Sequence, residues 1–230
     1  MRSQRRLVSA KIGNPNTFIG GVSSYDNSAN SVADRLGISI SDIDYFGING
    51  NDIEVGIIND YELKDRAYGN SPKTVTHFHD LEGKCVGFNE LSFTNCDLLT
   101  DVTLPKVEYM TRATFKDTGL TEIEMPELLS TDENSMFQSC PNLTTIKLPK
   151  LQSINPLSIY HAFTSSPNIT RIEIPVCLTL GPDYTSAGLF SGLTSACTLV
   201  VPSALSTING GAEHGQIAHA RSLGVTIIYV

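Results

Sequence analysis

"NLTTIKLP" at Asn142–Pro149 and "NITRIEIP" at Asn168–Pro175 agree at Asn, Thr, Ile and Pro and exchange Leu for Ile at the apolar positions. A chain that writes the same eight residues twice, 26 positions apart, is writing one unit of a stack. With the proline as anchor, the pattern extends both ways into "LLTDVTLP", "GLTEIEMP", "NLTTIKLP", "NITRIEIP" and "SACTLVVP", ending at Pro105, Pro126, Pro149, Pro175 and Pro202. The spacings are 21, 23, 26 and 27 residues. Six residues before each proline stand Leu99, Leu120, Leu143, Ile169 and Ala196, and three before stand Val102, Ile123, Ile146, Ile172 and Leu199. One before stand Leu104, Met125, Leu148, Ile174 and Val201.

A second anchor lies upstream in each unit, at Phe93, Phe115, Phe137, Phe163 and Phe190, five or six residues before the first apolar position. Short stretches such as "FTNCDLL" and "FQSCPNL" join the two, with Asn, Gly and Pro suited to tight bends. Two residues past the proline, Val107, Leu128, Leu151 and Cys177 recur; five past it come Met110, Ile154 and Leu180, with Thr131 as the exception.

Units of this length cannot bury their own apolar side and must stack on neighbours. Alternation at the LxL positions puts both flanking residues on one side of a short strand. Stacked strands then form a parallel sheet, with the phenylalanines as a spine behind it. Apolar positions three and two apart that run straight into proline do not continue a helix.

The pattern resembles the BspA-like leucine-rich repeats, whose units read LxxIxLP, a variable stretch, a Phe, a few polar residues, and Asn-Leu opening the next unit. The resemblance covers five units from about Phe93 to Pro202. It implies a β-rich α/β fold, a right-handed leucine-rich-repeat solenoid with strands on one side and turns or short helical segments on the other. "SACTLVVP" departs from it, with Ala196 and Cys197 in place of Leu-Thr, and reads as a terminal unit. Around the solenoid at 91–202 the expected parts are a basic arm at 1–20, a small irregular β-rich region at 21–90, and a C-terminal cap at 203–230. In the second, "GISISDIDYFGINGNDIEVGI" reads as short strands about a turn at Asn49 and Gly50. In the cap, "GGAEHGQIAHARSLG" makes a helix ended by Gly224, and "VTIIYV" a strand.

A formal charge of -8 argues against nucleic-acid binding, which needs a dense cationic face. The local exception is Arg2, Arg5, Arg6 and Lys11, which reads either as a solvated arm or as an anchor that docks on an acidic partner. No run of 18 apolar residues occurs, so no membrane insertion is expected. "LVSAKIGNP" is broken by Lys, Gly and Pro before an export signal's apolar core could form, and export by that route is not expected.

The five cysteines fit no CxxC pair or zinc ribbon. Cys96 and Cys140 occupy one slot two units apart with Thr118 between them, about 9 to 10 Å by strand spacing. That is beyond disulfide reach, so free thiols are expected. His77 and His79 share one strand face, and His214 and His219 miss helical metal spacing; neither a metal nor a cofactor is expected. GxSxG, GxxxxGK[ST] and HExxH are absent, and no enzymatic activity is expected.

Acid pairs such as Asp101 with Glu108 and Glu122 with Glu124 follow from repeat positions. The outward rows read Asp101, Glu122, Thr145, Arg171, Thr198 and Thr103, Glu124, Lys147, Glu173, Val200, with alternating charge at Glu124, Lys147 and Glu173. Neither row holds an aromatic residue. Tyr109, Tyr160 and Tyr184 follow the prolines, where the period lengthens. "NPLSIYHAF" and "GPDYTSAGLF" therefore supply the candidate ligand contacts Tyr160, His161, Asp183 and Tyr184, or equally rings that cover the convex core.

The resemblance implies recognition rather than catalysis, as on bacterial surfaces, in some eukaryotic parasites and in fibre-type phage proteins. The expectation is a phage virion fibre or receptor-binding component located in the virion and forming a homo-oligomer. Such a component would meet other virion proteins through the N-terminal arm, with Arg2, Arg5, Arg6 and Lys11 as anchors, and would contact a host cell-surface protein or glycan. A bacterial cell-surface adhesin and an intracellular protein-interaction scaffold are the alternatives.

Overall fold

A computed structural model describes residues 29–36, 38–39, 43–49, 52–57, 60–63, 67–68, 75–80, 82–131, 135–154, 162–183 and 188–230. The elements follow one another as α1 (Ala29–Leu36), β1 (Ile43–Asn49), β2 (Asp52–Ile57), β3 (Tyr61–Leu63), β4 (His77–Asp80), β5 (Cys85–Phe88), β6 (Asp101–Thr103) and β7 (Tyr109–Met110). They continue as β8 (Glu122–Glu124), β9 (Ser130–Thr131), β10 (Thr145–Lys147), β11 (Ser153–Ile154), β12 (Arg171–Glu173), β13 (Thr179–Leu180), β14 (Thr198–Val201), α2 (Gly215–Ser222) and β15 (Thr226–Tyr229). Each unit gives one strand to each of two stacked faces, so the chain is the leucine-rich-repeat solenoid its pattern implies.

The LxL positions make the first face. In β6, β8, β10 and β12 the central Val102, Ile123, Ile146 and Ile172 are buried while their neighbours point outward. Proline ends each strand by entering a β-turn at its second position, where its fixed φ fits. The turns close at Leu128 N–H to Met125 C=O, Leu151 N–H to Leu148 C=O and Cys177 N–H to Ile174 C=O. Just past the turn, β7, β9, β11 and β13 form a second parallel sheet that also includes β5 and β3. That sheet is additional to the single strand face expected from the alternation.

The phenylalanine spine is present as a ladder of rings. Phe93, Phe115, Phe137, Phe163 and Phe190 are all buried, and consecutive rings stack at 5.4, 5.9, 6.2 and 6.1 Å with planes within 9° of parallel. Burying a phenylalanine stabilises by roughly 1.5 to 3 kcal/mol, and such stacking adds about 0.5 to 1.5 kcal/mol per pair. Two residues past each ring the backbone turns left-handed, at Asn95, Asp117, Ser139, Ser165 and Gly192. Asn and Asp tolerate that region, whereas at Gly192 (φ +99°) an added Cβ would also lie 2.8 Å from Thr164 Cα. The turns form a third ladder, with Phe93, Phe115 and Phe137 N–H donating to the carbonyls of Thr114, Met136 and Ala162.

All five cysteines are free and buried. The slot shared by Cys96, Thr118, Cys140 and Ser166 is a buried polar column. Thr118 Oγ1 donates to Phe115 C=O at 3.0 Å, Ser166 Oγ to Phe137 C=O at 2.7 Å, and Cys140 Sγ lies 3.0 Å from Phe115 C=O. Burial pushes the Cys140 thiol up, and those of Cys197 and Cys177 up to about 11 and about 12. In the stack they serve as packing and hydrogen-bonding groups.

The stack begins upstream of the five units legible in the sequence. β2 pairs in parallel with β4, and β4 with β6, while β3 pairs with β5 and β5 with β7. Tyr68 takes the phenylalanine slot there, stacked on Phe93 at 5.2 Å and 3°, and the Arg35 guanidinium of α1 covers its other face at 4.8 Å. Before them, β1 and β2 make the antiparallel hairpin anticipated about Asn49, irregular near Ile43. At the other end β15 pairs in parallel with β14, and α2 stops at Gly224 (φ +86°), so helix and strand form the C-terminal cap.

Candidate functional site

One turn of the stack is a residue short. From Phe to the first apolar position the count is six at Phe93–Leu99, Phe137–Leu143, Phe163–Ile169 and Phe190–Ala196, but five at Phe115–Leu120. The shortened turn draws Gly119 onto the unit before it: a Cβ here would lie 2.3 Å from Asp97 C=O and 3.2 Å from Leu99 C=O. Glycine is required by that close approach.

The consequence appears on the strand face. A run of threonines just before the strands links the units by backbone hydrogen bonds of 2.8 or 2.9 Å, from Thr100 to Thr76, Thr144 to Thr121, Thr170 to Thr144 and Thr198 to Thr170. From Thr121 to Thr100 the distance is 3.4 Å. No ladder joins β6 to β8: one sheet runs β1-β2-β4-β6 and another begins at β8. On the opposite side the same step is tight, with Phe93 and Phe115 at 5.4 Å. The rings stay stacked at this step while the strand ladder is interrupted.

A groove of about 340 Å³ occupies the opening, rimmed by Asp101, Thr103, Glu122, Glu124, Thr145 and Lys147 above Val102 and Ile123. Lys147 Nζ lies 3.9 Å from Glu124, across the strand pair. Glu173, also beside Lys147 in register, bonds within its own strand to Arg171 Nε at 2.5 Å. His77 and His79 continue the face on β4, their rings 6.0 Å apart. His79 Nδ1 meets Thr103 Oγ1 at 2.8 Å and its Nε2 lies 3.9 Å from Asp101. Toward the C-terminal edge the row turns apolar, with Val200 in register with Ile228. Carboxylates, hydroxyls and an ammonium thus line this face above Val102 and Ile123. Among the described residues no group of three or more His, Cys, Asp or Glu is placed to hold a metal ion, and no helix is long and apolar enough to cross a membrane.

Tyr160, His161 and Tyr184 lie outside the described residues, as do Arg2, Arg5, Arg6 and Lys11. Asp183 is held by the C-terminal cap. Its carboxylate accepts from Asn209 Nδ2 at 2.5 Å and from the Gly215 N–H at the start of α2, with His214 Nδ1 at 3.5 Å. A carboxylate at a helix N-terminus is favourable there. The five-against-six spacing was the one trace in the sequence of the groove.

A family model described as BspA type leucine rich repeat region matches residues 63–184 in six copies. Among solved structures, a leucine-rich repeat protein from Bacteroides ovatus ATCC 8483 is similar at 14% identity and a TM-score of 0.36, over 82% of this chain and 70% of that one. No curated protein matches.

Proposed function

We propose a recognition role for this chain, which belongs to the BspA-type leucine-rich repeat family. The reading is of a non-enzymatic module that meets a macromolecular surface through side chains its stack leaves free. The observation that carries it is the division of labour within each unit. Inward positions are spent on ring, aliphatic and hydroxyl or thiol columns, while the outward rows change from unit to unit and enclose the groove between β6 and β8. A scaffold of that kind varies its binding chemistry without disturbing its core.

The setting proposed is a phage virion. There the chain acts as a homo-oligomeric fibre or receptor-binding component, held to other virion proteins by the basic arm and contacting a host cell-surface protein or glycan. The basic arm on an otherwise acidic chain supports an anchoring role. Two surfaces compete for the host contact, the strand face and the long insertions that carry Tyr160 and Tyr184. Labelled full-length protein is titrated onto host cells and isolated surface glycans, beside Glu124→Ala with Lys147→Ala and beside Tyr160→Ala with Tyr184→Ala, each checked for folding. Loss of binding in the first pair assigns the strand face, and loss in the second assigns the insertions. Unchanged binding in both, or none by the parent protein, rejects the recognition reading.

A further inference from the structure

The last strand of the stack is covered on neither face. No residue of β15 is fully buried, whereas Leu199, Val200 and Val201 of its neighbour β14 are. Ile227 and Tyr229, in register with Leu199 and Val201, pack on the core yet stay half-buried. On the opposite side Ile228 is 41% exposed, and Val230 just beyond the strand is 59% exposed.

The backbone of this edge is open as well. Thr226 N–H donates to Cys197 C=O, Val230 N–H to Val201 C=O, and Ser203 N–H to Val230 C=O. Residues along a ladder alternate, so Ile227 and Tyr229 aim N–H and C=O away from β14. Among the described residues no backbone bond meets them there, and β15 ends its sheet. Natural edges are blunted by a charge, a proline, a bulge or a covering segment. "TIIY" at Thr226–Tyr229 has neither charge nor proline, and its register with β14 is unbroken.

A second copy of the chain fits this edge on two counts. The first is charge. The chain carries a formal -8, and β8, β10 and β12 each hold a charged residue on the outward rows, but Thr198, Val200, Thr226 and Ile228 on β14 and β15 hold none. Two copies meet here with their charged rows kept apart. The second is phase. A two-fold axis at Ile228 sets Ile227 opposite the partner's Tyr229 and Tyr229 opposite the partner's Ile227. Those are the residues whose backbone groups face outward, so four N–H to C=O bonds close and Ile228 packs on the partner's Ile228.

We propose that β15 pairs antiparallel with β15 of a second copy about a two-fold axis at Ile228. The interface is isologous and joins the five-stranded sheets of both copies into one. Because the axis stands across the sheet, both strand faces point to the same side, and a homodimer meets a surface through two of them. This rests on the homo-oligomeric part of the function proposed above and names its contact.

Sedimentation velocity of the full chain over a dilution series tests the pairing without any host ligand. An interface of this small size is expected to give a monomer–dimer equilibrium with a dissociation constant of roughly 1 to 100 µM. Ile228→Lys sets like charges opposite each other at an exposed position and should raise that constant at least about tenfold. Leu178→Lys, at an exposed apolar residue just before β13, should leave it unchanged; thermal melts confirm that both variants fold. Ile228→Cys supplies a positive test. The α-carbons of such an opposed pair lie about 4.5 Å apart, within disulfide reach, and the chain's own cysteines are all buried. Mild oxidation should therefore give a covalent dimer at least about tenfold faster than with Leu178→Cys. Association that Ile228→Lys leaves unchanged, or equal crosslinking of the two cysteine variants, overturns this interface while the homo-oligomer stands. A parent protein that stays monomeric throughout the series overturns both.

Discussion

The step from β6 to β8 and the step from β10 to β12 join successive units of one repeat, yet they differ on both sides of the stack. At the second, Phe137 and Phe163 are 6.2 Å apart and three residue pairs match in parallel register. At the first, Phe93 and Phe115 close to 5.4 Å and the strand ladder is lost. The first step also has one residue fewer between ring and aliphatic anchor, Phe115 to Leu120. The ladder is interrupted at the step with the short turn, while the inward columns of rings and aliphatic residues run through it unbroken.

The largest expected effect falls on what the two steps share. Phe137→Ala removes a ring stacked on both sides and should cost on the order of 3 to 5 kcal/mol in a urea titration. A cost under about 1 kcal/mol would mean that the rings do not hold the units together. The next effect is confined to the tight step. Gly119→Ala drives a methyl group against the Asp97 carbonyl, with an expected loss of about 1 to 3 kcal/mol. A neutral outcome would show that the units can move apart and that the short turn does not fix their approach.

The two ends of the stack should respond to acid in opposite senses. At the N-terminal end, burial raises the pKa of Asp80, against hydrogen bonds from Cys85 and its neighbours that lower it. At the C-terminal cap, Arg221 and Tyr229 hold Glu213 low despite its partial burial, which acts to raise it. A raised folded pKa contributes stability at low pH that is lost as pH climbs through it; a lowered one contributes stability at higher pH that is lost as pH falls through it. As pH falls toward the ordinary carboxylate range, acidification should stabilise the wild type relative to Asp80→Asn. A constant difference in denaturation midpoint across that range would remove Asp80 from the account. The smallest effect belongs to the exposed pair beside the groove. Lys147→Ala should cost well under about 1 kcal/mol, since Lys147 and Glu124 are largely solvated and 3.9 Å apart. A loss comparable to that of Phe137→Ala would reverse the assignment of inward and outward faces.

The five units between Phe93 and Pro202 were legible because two anchors recur in fixed order. The upstream unit was not, because Tyr68 stands in the phenylalanine slot and Asp80-Leu81 where later units have Leu-Pro or its equivalent; its turn instead uses Gly83 at φ +63°. The second sheet was not legible because β7, β9, β11 and β13 are two residues long and Thr131 interrupts their apolar column. Stacking of units imposes those strands, not alternation within them. Charge alternation at Glu124, Lys147 and Glu173 was visible, but whether Glu173 turns to Lys147 or to Arg171 is a choice of side-chain geometry. For the groove, the short turn could be counted, whereas its opening depends on the contact of Gly119 with a carbonyl in another unit.

Residue-resolved amide hydrogen exchange tests the interrupted ladder most directly. Thr145 and Lys147 sit in a strand paired on both sides, whereas Glu122 and Glu124 face the groove from the first strand of their sheet. The amides of Glu122 and Glu124 should exchange at least about tenfold faster than those of Thr145 and Lys147, with Phe115 N–H, bonded to Met136 C=O, as protected as Phe137 N–H. Equal protection of all four strand amides would mean that β6 and β8 are joined by an ordinary ladder, and would contradict the groove.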